Sequence, residues 1–152
     1  MINESLEAYI HRQIPITSAM GVQIVEATAD RVELSAPLAP NINHRETVFG
    51  GSAAAVATLA AWTLVLVRMR NEDLTGRLVI SRNTMVYQKP IVADFTAVAS
   101  ADELNTWEKF VAGITRKGRG RLQATSRLLL NGDQMAEFEG QFVAINHYNV
   151  SR

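Results

Sequence analysis

Apolar residues recur along this chain at two different spacings, and the switches between them mark its elements. Leu6, Tyr9, Ile10 and Ile14 fall near helical spacing, so an amphipathic helix is predicted from about Asn3 to Gln13. Gly21 to Ala27 and Arg31 to Leu38 read as two strands joined by a polar turn at Thr28 to Asp30. In the second, Val32, Leu34, Ala36 and Leu38 alternate with Arg31, Glu33 and Ser35, the pattern of a half-buried strand, and Pro37 and Pro40 end it. Leu78 to Gln88, closed by Pro90, and Phe95 to Ala101 are further strands. Leu104, Trp107, Val111 and Ile114 sit three, four and three apart, which predicts a short helix from about Glu103 to Thr115, stopped by Gly118. Arg121 to Leu130 and Gln134 to Ile145 are the last strands. Asn131-Gly132 between them signals a tight hairpin, because both residues tolerate positive φ. In the final strand Ala136, Phe138, Gly140, Phe142 and Ala144 share one face, and Glu137, Glu139 and Gln141 the other.

One segment stands apart. The polar loop Asn43-His44-Arg45-Glu46-Thr47-Val48-Phe49 ends in Gly50-Gly51 and runs directly into an uncharged stretch from Ser52 to Val67, followed by Arg68 and Arg70. A helix apolar on all sides is expected to be buried on all sides. Two glycines at its start let other groups approach the backbone closely. The first turn of a helix presents unpaired N–H groups and the positive end of a dipole, which suits an oxygen that carries or develops negative charge.

The count is six strands, one buried central helix and two peripheral helices. No repeat, low-complexity tract or linker interrupts the chain, so residues 1–152 read as a single α+β domain. The simplest packing is a curved antiparallel sheet wrapped around the central helix. Such a sheet leaves edge strands that need cover, which a second copy related by a two-fold axis would supply.

Composition narrows the choice of function. The 15 basic and 15 acidic residues cancel, so there is no global field to gather nucleic acid or an anionic membrane. Cysteine is absent, which excludes disulfides, thiolate metal sites and a cysteine nucleophile, and fits a cytoplasmic location. The first residues lack the continuous apolar core of a signal peptide. The central run approaches membrane-spanning length, but it is mostly Ala, Thr, Ser and Gly and has strands on either side, so a buried helix is expected. There is no nucleophile elbow around Gly51-Ser52, no phosphate loop with its lysine, no dinucleotide glycine fingerprint, no His–carboxylate metal spacing and no RNA-binding aromatic motif.

The order of elements and several local motifs resemble the hotdog-fold acyl-CoA thioesterases over nearly the whole chain. The loop Asn, Thr47, an aromatic at Phe49 where many relatives have His, and Gly50-Gly51 opening the central helix all match. So do Tyr87-Gln88-Lys89-Pro90 at a strand end and the basic turn Arg116-Lys117-Gly118-Arg119 before the fifth strand. Gly50-Gly51-Ser52 with Trp62 further along resembles the thioesterase-like domain that some bacteria carry alone or fused to a GNAT acetyltransferase domain. The resemblance implies a hotdog homodimer, or a dimer of dimers, with two sites at the subunit boundary. It implies no metal and no cofactor beyond the CoA of the substrate.

Residue roles follow from the same match. Asn43 aligns with the Asn that holds the nucleophilic water or the thioester, though Asn also serves simply as a turn residue. Gly51 would offer its N–H to the thioester oxygen, as an oxyanion hole does. Many relatives carry a carboxylate one or two turns into the helix, where this chain has Thr58. A hydroxyl there can position water but is a poor base, and it serves equally well by satisfying the helix backbone. Glu46 or His44 could replace the missing base; each also reads as an ordinary loop residue, Glu46 paired with Arg45. Phe49, Gly50, Tyr87 and Lys89 would contact substrate, with Lys89 equally suited to a solvated strand end. Arg116, Lys117 and Arg119 would grip CoA phosphates, or else favour the dipole of the helix they end. His11 and His147 suggest no role. The sequence thus predicts a thioesterase acting on acyl-CoA or an acyl-carrier protein. The alternative is a module that binds acyl thioesters without cleaving them, which the missing helix carboxylate favours.

Overall fold

The computed structural model describes residues 4–146. The expected helix start at Asn3, and His147, lie outside them. Helix α1 (Leu6–Gln13) begins at Ser5, whose side chain accepts the Ala8 N–H at 3.1 Å, and it buries Ile10. His11 donates from Nε2 to the Val22 carbonyl at 2.8 Å, tying α1 to the first strand. A further helical turn, α2 (Ile16–Ala19), follows Pro15. Four residues are too few to show a period, so this turn escapes the sequence pattern. Strands β1 (Gln23–Ala27) and β2 (Arg31–Ala36) form a hairpin; β2 stops one residue before Pro37 and shows strict burial alternation.

Helix α3 (Gly50–Asn71) is followed by β3 (Arg77–Tyr87) and β4 (Phe95–Ser100). Helix α4 (Trp107–Lys117) starts four residues later than the periodicity suggests, because Ala101–Glu103 form a 3-10 turn first. Gly118, at φ 73°, ends it as a left-handed cap. Strands β5 (Arg119–Leu130) and β6 (Asp133–Ile145) meet at Asn131 and Gly132, both at positive φ as expected for this hairpin.

All strand pairs are antiparallel, in the order β1-β2-β4-β5-β6-β3, and the curved sheet wraps α3, which touches every strand. Val56, Ala57, Ala60, Ala61, Leu64 and Val65 of α3 are completely buried. The small side chains among them let the sheet approach closely, and Ser126 of β5 donates to the buried Ala57 carbonyl at 2.7 Å. By length and composition α3 could cross a membrane, but it forms the core of this sheet.

One expectation is corrected here. Helix α3 is not buried all round: Ala55, Thr58, Trp62 and Leu66 lie half-buried along one face. The reason is geometric, since one sheet covers a helix from one side, and β3 ends that sheet. The outer edge of β3 has no neighbour among the described residues, although Val79, Val86 and Tyr87 stand exposed along it.

Candidate active site at the start of the central helix

The loop before α3 closes on itself. Ile42 and Val48 form a β-bridge, and the Asn43 N–H donates to the Thr47 carbonyl at 2.8 Å. The Asn43 side chain fills the loop: its Oδ1 accepts from Arg45 N (2.8 Å) and Thr47 N (3.1 Å), while Nδ2 donates to Thr47 Oγ1 (2.9 Å). An amide has two N–H groups and an oxygen with two lone pairs. These bonds leave one Nδ2 proton of Asn43 without a partner among the described residues.

Below it, Asn41 is buried and donates to the Met20 and Pro37 carbonyls at 2.9 and 2.8 Å, while Phe49 N–H donates to the Asn41 carbonyl at 2.7 Å. The sequence reading missed Asn41. Its only signal was a polar residue beside Pro40, which turns commonly carry.

The tip residues His44, Arg45 and Glu46 are exposed, and no Arg45–Glu46 ion pair forms among the described residues. Glu46 sits at φ 64°, a left-handed conformation that costs a side-chain-bearing residue about 1 kcal/mol. Glu46→Gly should therefore raise the free energy of unfolding by about 1 kcal/mol, measured by urea titration. An unchanged midpoint would show that the carboxylate compensates the strain.

At the helix start Phe49 occupies the cap position without a side-chain cap, and the first turn holds no acidic residue. The first backbone bond of α3 runs from Ala53 N–H to the Phe49 carbonyl at 3.0 Å, so the helical ladder leaves the Gly50, Gly51 and Ser52 amides without a backbone partner among the described residues. The Phe49 ring lies over Gly51 so closely that a Cβ there would come within 2.4 Å of it. Tyr87, from the end of β3, donates its hydroxyl to the Gly50 carbonyl at 2.9 Å. Gly50, Tyr87, Lys89 and Ile91 share a cavity of about 350 Å3 with Val48 and Ala136.

A second cavity, of about 410 Å3, opens along the uncovered face of α3. Ala55, Thr58, Leu59 and Trp62 form its floor, Ile14, Ile16 and Met20 one wall, and Leu78 and Ile80 of β3 the other. Its polar groups are already engaged. Thr58 Oγ1 donates to the Ala54 carbonyl (2.7 Å), Thr17 Oγ1 to the Ile14 carbonyl (2.7 Å) and Trp62 Nε1 to the Leu78 carbonyl (2.9 Å). The groove therefore presents carbon. Gly51 does not line this groove, but it lies on the same helical face as Ala55, Thr58, Leu59 and Trp62 of the floor, one turn before Ala55 and ~16 Å from Trp62 at 1.5 Å per residue.

The structure thus gathers Phe49, Gly50, Gly51, Tyr87 and Lys89 at the helix start, with Asn43 at the neck of the preceding loop. Thr58 stands two turns along, on the groove floor. His44 and Glu46 remain at the loop tip. Arg116, Lys117 and Arg119 are elsewhere, at the other end of the sheet. In the β-ladders Tyr87 faces Ala136 while Arg119 faces Ile145, nine residues further along β6. Among the described residues no three His, Asp or Glu side chains converge as metal ligands would.

A six-stranded antiparallel sheet curled around one long helix, with glycines opening that helix, is the hotdog fold of the thioesterases. The chain belongs to the YiiD_C family, described as "Putative thioesterase (yiiD_Cterm)", which matches residues 3–146. Similar solved structures include a Chlorobaculum tepidum protein of unknown function, at 26% identity and TM-score 0.86 over 93% of each chain. A Shewanella oneidensis protein titled "putative thioesterase" is 24% identical, with TM-score 0.79 over 92% of this chain and 94% of that one. A Pseudomonas aeruginosa protein titled "Probable Thioesterase" is 17% identical, with TM-score 0.78 over 93% of each.

Proposed function

We propose that this chain hydrolyses the thioester of an acyl-CoA or acyl-carrier protein with a directed water, at a site completed by a second copy of the chain. The observation that carries the reading is the single face of α3 that bears the Gly51 amide at the helix start and, from one turn further on, the floor of an apolar groove of about 410 Å3. The thioester carbonyl oxygen accepts from Gly51 N–H, and the helix dipole stabilises the charge that grows on it. The remaining Nδ2 proton of Asn43 orients the water or the carbonyl. Water adds to the carbonyl carbon, the tetrahedral oxyanion collapses, and the thiolate leaves and takes up the proton that the water lost. No Asp or Glu occurs between Gly51 and Val67, so the base that carries that proton is Glu46 or His44 at the loop tip, or a group of the second copy.

The second copy enters through β3. Its 11 residues form an unpaired edge bearing Val79, Val86 and Tyr87, and such an edge is a template for antiparallel pairing. A two-fold axis near Arg82, at the middle of β3, would join the sheets and wall the open side of the groove. Light scattering and thiol release, followed together over a dilution series, test this. The mass should be twice 16.7 kDa, and activity per chain should fall as the dimer dissociates. A monomer with full activity would contradict the shared site.

The non-catalytic reading keeps one specific support. Most of the hydrogen-bonding capacity of Asn43 goes to its own loop, and α3 carries no carboxylate. A binding module would need only the groove and the helix start.

A further inference from the structure

The peptide unit that joins Gly50 to Gly51 is bonded at its oxygen and open at its nitrogen. The Gly50 carbonyl accepts the Tyr87 hydroxyl at 2.9 Å. The Gly51 amide at the other end of the same unit has no backbone partner among the described residues. Helix geometry already gives the Gly50 carbonyl the Ala54 N–H, and a carbonyl oxygen has two lone pairs, so Tyr87 takes the second. Three amides of this turn are left by the ladder, those of Gly50, Gly51 and Ser52. Their peptide units carry the carbonyls of Phe49, Gly50 and Gly51. Among the described residues only the Gly50 carbonyl is bonded by a side chain as well. Tyr87 therefore singles out one of three otherwise similar donors.

The phenol reaches this carbonyl from a fixed base. Tyr87 faces Ala136 in the β3–β6 ladder, and the next two amides, Gln88 and Lys89, both donate to the Met135 carbonyl at 2.9 and 3.0 Å. Just beyond, the Ile91 carbonyl accepts the Val48 N–H at 2.9 Å, so the end of β3 and the entry to α3 are tied at two points. Glycine at position 50 leaves room for the ring: a Cβ there would lie 3.6 Å from the Tyr87 hydroxyl, in contact without a clash. A phenol has one O–H to donate. This one goes to Gly50, so it is not free for a substrate oxygen while the bond stands.

We propose that Tyr87 is a positioning residue, whose hydroxyl acts through the Gly50 carbonyl to orient and polarise the Gly51 N–H that meets the thioester oxygen. The inference rests on the thioester site proposed above and adds to it the group that tunes the donor. The peptide nitrogen shares its electrons with the carbonyl by resonance. A hydrogen bond at the oxygen draws that density further from nitrogen and leaves the N–H more positive. Linked hydrogen bonds strengthen one another in this way by about 10–30% each. The gain is greater for the charge that develops in the transition state than for the neutral carbonyl, so it falls on kcat and not on KM. An oxyanion donor is worth about 100- to 1,000-fold in kcat, and that share of it on a logarithmic scale is roughly two- to tenfold.

Gly50-Gly51 is the only Gly-Gly pair in the sequence. The full chain labelled with 13C at glycine carbonyls and 15N at glycine nitrogens therefore gives one carbon–nitrogen correlation, which reports the Gly50 carbonyl and the Gly51 amide together. In Tyr87→Phe the Gly50 carbon and the Gly51 proton should both move upfield. With 3-fluorotyrosine in place of Tyr87, a stronger donor while its phenol stays protonated, both should move downfield. Resonances unmoved in both variants would overturn the proposal, whatever the turnover. Tyr87 is exposed, and a melting curve with light scattering checks that fold and oligomeric state are kept. The bound state is read with a ketone analogue of dodecanoyl-CoA, in which a methylene separates the sulfur from a 13C-labelled carbonyl. At saturation the Gly51 proton should shift, and the infrared stretch of the bound carbonyl should lie higher in Tyr87→Phe than in the unmutated protein. A Gly51 proton that ignores the bound ketone would remove the thioester site proposed above, and this role with it, even where the free-protein shifts are seen. In turnover of dodecanoyl-CoA, Tyr87→Phe should lower kcat about two- to tenfold with KM within about twofold. A loss confined to KM would make Tyr87 a binding residue and contradict the proposal. If the unmutated protein releases no thiol, the two spectroscopic readings still decide, so this inference can stand where the thioesterase reading falls.

Discussion

Ala55→Phe is expected to lower kcat/KM for a dodecanoyl thioester by about a hundredfold while leaving an acetyl thioester within about threefold of the unmutated protein. Ala55 lies one turn beyond Gly51 on the same face of α3, at the mouth of the apolar groove. A phenyl ring there would occupy the path of the chain and leave the carbonyl position free. Each buried methylene contributes about 0.8 kcal/mol, so excluding four of them removes ~3 kcal/mol, or roughly two powers of ten in rate constant. The selectivity is the informative part. If the loss fell equally on acetyl and dodecanoyl substrates, Ala55 would be acting on the helix start or the subunit contact, and the groove would not be the acyl site.

Asn43→Ala should lower kcat/KM by about tenfold to a thousandfold, the cost of losing one polar stabiliser of the transition state. The structure adds a complication, because Asn43 also makes three side-chain hydrogen bonds that close its loop. Removing them leaves the Arg45 and Thr47 amides without that acceptor and loosens the loop by itself. Asn43→Asp separates the two effects. Its carboxylate still accepts from both amides, but it has no N–H to offer a ligand. If the spare Nδ2 proton orients the reacting groups, Asp is as damaging as Ala while the melting temperature is retained. Activity retained in Asn43→Asp would reduce Asn43 to a loop residue. Thr58→Ala should cost less than either, since the Thr58 hydroxyl proton is already given to the Ala54 carbonyl.

Those arguments depend on features that were legible in the sequence to different degrees. Long periodic segments were readable: the alternation of β2, the Asn131-Gly132 hairpin and the uncharged run of α3 all correspond to observed elements. Elements without a period were not, and α2 is the case in point. The start of α4 was misplaced because Leu104 has the right spacing to Trp107 while its backbone still belongs to the preceding turn. The half-buried face of α3 was hidden for a different reason. Ala55, Thr58, Trp62 and Leu66 are as apolar as a core, and nothing in their chemistry says whether a sheet, an acyl chain or a second subunit covers them. Phe49, Gly50, Gly51, Tyr87 and Lys89, named from motifs in the sequence, lie near one another in the fold, although the bond from Tyr87 to the Gly50 carbonyl joins residues 37 apart and left no local signal. The basic turn Arg116, Lys117 and Arg119, read as a grip for CoA phosphates or as charges favouring a helix dipole, lies at the opposite end of the same sheet, a placement that only the strand register shows.

The central claim is that the helix start polarises a thioester for attack by water, and release of free thiol tests it most directly. The dimer is assayed with a series from acetyl- to hexadecanoyl-CoA and with the matching carrier-protein thioesters. Turnover is expected to be well above the uncatalysed rate. Its optimum should fall near a dozen carbons, the length that fits the ~16 Å from Gly51 to Trp62 at ~1.2 Å per bond. Acyl-CoA that binds tightly while thiol release stays at the uncatalysed level for every chain length and both carriers would contradict the claim and leave a binding module.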